Sequence, residues 1–82
     1  MKRHIYRSAL SWSGDTTDYN TYERRHEVMI GGGSLEVSAD AAFRGNPELT
    51  NPEQMLLVAV SSCQLLSFLA VVSQSRVQVV RY

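Results

Sequence analysis

The sequence predicts an α+β fold: a small antiparallel sheet packed on one long, buried central helix, followed by a further strand. Three observations carry this expectation. Residues 4–12 and 22–30 alternate with a period of two, as half-buried strands do. Three consecutive glycines, Gly31 to Gly33, separate the second of these runs from a short partner segment. An uncharged run from Met55 to Val72 follows a helix-start sequence, Asn51-Pro52-Glu53-Gln54.

The first strand is expected at about 4–13, with Tyr6, Ser8, Leu10 and Trp12 on one side and Ile5, Arg7, Ala9 and Ser11 on the other. Ser13 to Asp18 is a loop by composition. The second strand is expected at about 22–30, with Tyr22, Arg24, His26, Val28 and Ile30 sharing a face. Glycine admits positive φ, so Gly31-Gly32-Gly33 turns the chain and residues 34–38 return as a hairpin partner. Those glycines lack the strand-to-helix setting of a phosphate-binding loop. Residues 39–50 are irregular, with a turn signal at Arg44-Gly45-Asn46-Pro47.

Asn51 suits the N-cap, Pro52 the first helical position, and Gln54 the reciprocal position of a capping box. Glu53 places a negative charge at the positive end of the helix dipole, and this alone justifies it there. The helix is expected over about 52–75, roughly 35 Å long. Ser61, Ser62, Gln64 and Ser67 lie near its middle and no aromatic belt flanks it, which favours a helix buried in a soluble protein over a membrane span. Val77 to Tyr82 reads as a last strand. An unpaired edge there calls for another subunit or for chain beyond these residues.

The 82 residues are expected to form a single domain, 1–82, small enough that self-association is needed to complete its core. Eight Lys and Arg balance eight Asp and Glu, so no basic stripe points to nucleic acid or to an anionic membrane. A single cysteine and the lack of an apolar stretch behind Met1-Lys2-Arg3-His4 favour the cytoplasm. His4, His26 and Cys63 have no paired ligand spacing, so neither a metal nor another cofactor is expected.

Cys63 is the residue with chemistry to offer. A thiol inside an apolar helix is ordinarily a small hydrophobe, and it turns reactive only when a neighbour lowers its pKa and a substrate can reach it. Its own helix supplies no such neighbour. Glu53 lies ten positions away, about 15 Å along the axis, and the dipole effect fades after the first turn. The cation must come from elsewhere, with Arg24 and Arg25 first and Arg44 next.

The segment Asn51-Pro52-Glu53, an apolar helix and Ser62-Cys63-Gln64 resembles the central-helix signature of the OsmC/Ohr family. Trp12-Ser13-Gly14, the Tyr-x-Arg-x-His segment from Tyr22 to His26, and Phe43-Arg44-Gly45 match in the same order. The resemblance covers most of the 82 residues and corresponds to the N-terminal half of the family fold, central helix included. Gln64 stands where relatives often carry histidine.

This resemblance implies a thiol-dependent peroxidase that reduces organic hydroperoxides, taking part in the oxidative stress response. It implies Cys63 as the peroxidatic nucleophile, Arg24 as the arginine that stabilises the thiolate, and Glu53 as the carboxylate that holds the arginine. It also implies an intertwined homodimer, which lets distant groups converge. The family's resolving cysteine lies in its later half, so an external thiol is the expected reductant. The alternative is an OsmC-like dimerisation or binding module without turnover.

Overall fold

The computed structural model describes residues 2–82. The chain divides into two compact units, Met1–Pro52 and Glu53–Tyr82. The architecture is α+β: one three-stranded antiparallel sheet and one long helix.

In the first unit, β1 (Ser8–Ser11), β2 (His26–Ile30) and β3 (Gly33–Val37) pair in sequence order. The register sets Leu10 opposite Val28 and Val28 opposite Leu35. Directly opposed residues share a face, so Leu10, Val28 and Leu35 form one apolar row. His26 and Val37 extend that face, while Glu27, Met29, Ser34 and Glu36 point to the other. Ile30 pairs with Gly33, leaving Gly31 and Gly32 as the hairpin loop. Gly31 has φ 59°, the left-handed value that glycine adopts without steric cost.

The first two strands are shorter than their alternation suggests, because local bonds satisfy the intervening backbone. The indole Nε1 of Trp12 donates to the Glu23 carbonyl at 2.7 Å. Thr21 and Tyr22 N–H groups both donate to the Asp18 carbonyl. The Asp15 carboxylate accepts from the hydroxyl and the backbone N–H of Thr17, in that order of effect, which hold its pKa below the usual carboxylate value. That support is present above the ordinary Asp range and is lost as pH falls through the lowered value.

The tightest packing lies at the end of β3. Val37 and Ser38 are fully buried, at 0% and 1% exposure. Val37 bridges Thr50 in parallel, and Ser38 N–H donates to the Thr50 carbonyl at 2.8 Å. The Ser38 hydroxyl accepts from Asn46 N–H at 3.0 Å. Asp40 caps a 3-10 turn, Ala41–Phe43, by accepting from Ala42 N–H. Arg44 closes that turn at φ 64°, and Gly45 N–H donates to the Asp40 carbonyl. Gly45 passes so close to Ala39 that a Cβ there would sit 1.8 Å from the Ala39 carbonyl oxygen.

The second unit is built on α1 (Pro52–Gln74). Pro52 opens it and Glu53 lies in its first turn. It ends in a Schellman arrangement: Arg76 takes φ 59°, its N–H donates to the Ser73 carbonyl, and Val77 N–H donates to the Val72 carbonyl at 2.8 Å. No residue of α1 is buried. Leu56 and Leu57 are each 67% exposed and Leu66 is 63% exposed. The expected buried central helix is thus corrected to an exposed one. A helix apolar on several sides is buried only when other surfaces meet it all round. Its length and composition are also sufficient to cross a membrane.

Residues 77–82 form no strand. A strand exists through its ladder partners, and none pairs with this segment. The Tyr82 ring packs instead on Phe68, with centroids 5.6 Å apart.

Candidate functional site

Cys63 is a free, exposed thiol in the middle of α1. The positions one turn away on its own face are Ala59, Val60, Leu66 and Ser67, all uncharged. The surface around the sulfur therefore suits an alkyl group. Glu53 is exposed in the first turn of the same helix, about 15 Å away along the axis at standard rise. Helix geometry keeps these two apart within one chain.

The three candidate arginines have distinct settings. Arg25 is bound to the Glu36 carboxylate, Nη1 to Oε1 at 2.5 Å, so its charge is already paired. Arg24 is half-buried and held by neutral groups. Its Nη1 donates to the Tyr22 carbonyl and its Nη2 to the Tyr19 carbonyl, each at 2.6 Å. The guanidinium carbon stacks 3.5 Å from the Tyr22 ring centroid and lies 5.3 Å from that of Tyr19. Its Nε is buried and has no hydrogen-bond partner. Arg44 lies 5.7 Å from the same Tyr19 ring.

The structure thus brings Arg24 together with Tyr19, Tyr22 and Arg44, and places Glu53 and Cys63 on one helix nearly three turns apart. Tyr19 is the residue that sequence reasoning missed, and Tyr22 entered it only as part of the Tyr-x-Arg-x-His segment. Their rings meet edge to face at 6.0 Å. The signal for them is the spacing Tyr19-x-x-Tyr22-x-Arg24 directly after a turn-forming Asp18. The His26 Nδ1 lies 2.9 Å from the Arg24 carbonyl oxygen. Among the described residues, no three His, Cys, Asp or Glu side chains are grouped to hold a metal ion.

No protein-family model matches the chain, and no curated protein matches it.

Proposed function

We propose that this chain is an OsmC/Ohr-like thiol-dependent peroxidase of the cytoplasm that reduces organic hydroperoxides with Cys63. Two separate observations, one in each unit, support the reading. Cys63 is exposed on an uncharged helical surface. Arg24 is a guanidinium fixed within its own unit by two carbonyls and an aromatic face. The order of motifs along the chain, from Trp12-Ser13-Gly14 to Ser62-Cys63-Gln64, supports the same assignment.

The chemistry needs a thiolate, and a guanidinium brought to the sulfur favours that form. The thiolate attacks the outer peroxide oxygen and the O–O bond breaks. A proton from solvent completes the departing alcohol, and the sulfur, oxidised by two electrons, becomes a sulfenic acid. An external thiol condenses with the sulfenic acid to give a mixed disulfide and water. A second thiol then releases Cys63 and carries away the oxidised pair. Glu53 serves as the carboxylate that orients the arginine during this cycle, and the working unit is a homodimer.

Treating the full chain with one equivalent of cumene hydroperoxide tests the reading. Expected results are loss of one titratable thiol per chain, release of one equivalent of the alcohol, and trapping of the sulfenic acid by dimedone. Arg24→Ala slows the thiol loss by about tenfold at pH 7, because the guanidinium no longer favours the thiolate. A Cys63 that reacts no faster than free cysteine removes the peroxidase activity.

The second reading, an OsmC-like dimerisation or binding module without turnover, draws on the exposed apolar surface of α1. It is separated from the first by the same assay, since a module keeps its association and shows no accelerated thiol chemistry.

A further inference from the structure

We infer that Tyr22, with Tyr19 behind it, is the positioning residue for Arg24: the aromatic face and the turn at 18–22 hold the guanidinium in place before substrate arrives. The inference rests on the peroxidase reading for its purpose, but the clamp itself lies wholly within the first unit.

An arginine side chain has many rotamers, and ordering it at the moment of reaction is costly. Here that ordering belongs to the fold. Asp18 accepts two backbone N–H groups, from Thr21 and Tyr22, and so closes the turn that carries both tyrosines. The two ring-bearing residues then offer their carbonyls to Nη1 and Nη2 at 2.6 Å each. The Tyr22 ring covers one face of the guanidinium at 3.5 Å, and Tyr19 braces Tyr22 edge to face.

The chemical character of the clamp matters as much as its geometry. Arg25 is held by a carboxylate, Glu36, whereas the groups that hold Arg24 within its own unit are neutral. Carbonyl dipoles and a π face hold it and leave the net charge intact. Arg44, beside the same Tyr19 ring, adds a second positive charge to the neighbourhood. An arginine fixed by neutral groups is suited to lending its charge to an anion that forms only in the reaction, such as a thiolate or a departing alkoxide. Nothing charged on α1 competes near Cys63, since the run from Gln54 to Ser75 is uncharged.

Two readouts on the full chain test the clamp. In arginine-labelled protein, the Arg24 side chain, assigned with Arg24→Lys, gives resolved, slowly exchanging guanidinium N–H signals with a ring-current shift. Tyr22→Phe keeps them, because the π face remains. Tyr22→Leu retains the backbone carbonyl yet loses the ring, so the signals lose their shift and coalesce. Fast-rotating, unshifted Arg24 signals in the unmodified chain overturn the inference outright, whatever the variants do.

The second readout is the pH midpoint of Cys63 alkylation by iodoacetamide. Tyr22→Leu moves it upward, in the direction of Arg24→Ala and by at least half as much, while Tyr22→Phe restores the parent profile. An upward shift in Arg24→Ala with none in Tyr22→Leu overturns the positioning role alone. No shift in Arg24→Ala overturns both that role and the part of Arg24 in the peroxidase.

Discussion

Around Val37 and Ser38 the chain closes on itself, whereas along α1 it leaves its most apolar surface open. The first region is polar in sequence and is held by directed bonds: Ser38 to Thr50, Asn46 to Ser38, Gly45 to Asp40. The second has its backbone bonds satisfied inside the helix, and its side chains are mostly apolar and none is buried. Hydrogen bonds can complete a local structure within one chain. The hydrophobic effect needs a matching surface, and each leucine of α1 left exposed forgoes about 1.5–3 kcal/mol. The loop at 38–50 is thus completed by its own bonds, and the apolar surface of α1 is left unburied.

The largest expected effect breaks this contrast at the helix. If a second copy covers α1, the parent chain has the mass of a dimer in light scattering. Leu66→Asp then places a carboxylate in the covered surface, where its desolvation is unfavourable, and the mass falls to that of a monomer. A parent chain that is already monomeric, or a variant of unchanged mass, shows that α1 is not met by another copy.

The next effect sharpens the other side. Gly45→Ala pushes a methyl group into the Ala39 carbonyl, 1.8 Å from the ideal Cβ position, so the loop must open. A loss of about 1–3 kcal/mol is expected in urea unfolding, with no change in association. An unaltered midpoint means that the loop does not pass Ala39 so closely.

The smallest effect lies at the end of α1. Arg76 holds a left-handed φ of 59° that glycine adopts without penalty. Arg76→Gly is expected to stabilise the chain by about 0.5–1 kcal/mol in the same unfolding experiment. A destabilised variant means that the Arg76 side chain contributes something its backbone geometry does not reveal.

What was legible in the sequence tracks the same divide between local and distant causes. The start of α1 follows from Asn51, Pro52 and Glu53, and the hairpin from three glycines, because capping and turn chemistry act within a few residues. The shared face of His26, Val28 and Ile30 follows from alternation. The extent of the first two strands does not, because Trp12 reaching Glu23 and Arg24 reaching Tyr19 are side-chain bonds to backbone that alternation cannot register. The end of α1 carried no glycine to announce its left-handed residue. The expected last strand failed because β propensity in Val77, Val79 and Val80 specifies no partner. The apolar content of α1 was plain in the sequence, while its burial depends on what surrounds it.

Of the proposed site, Cys63 was visible as the lone thiol, and its exposure is a property of the structure. Arg24 was one of three arginines on sequence grounds, and the structure separates them by their partners: a carboxylate for Arg25, two carbonyls and an aromatic face for Arg24. The tyrosine clamp was present only as a spacing.

The rate constant of Cys63 with cumene hydroperoxide at pH 7, set beside that of free cysteine under identical conditions, decides the functional proposal. A peroxidatic Cys63 reacts on the order of tenfold faster or more, since a free thiol of pKa near 8.5 is only a few per cent ionised there. A rate equal to or below that of free cysteine makes Cys63 an ordinary apolar residue of α1 and leaves the chain an association module.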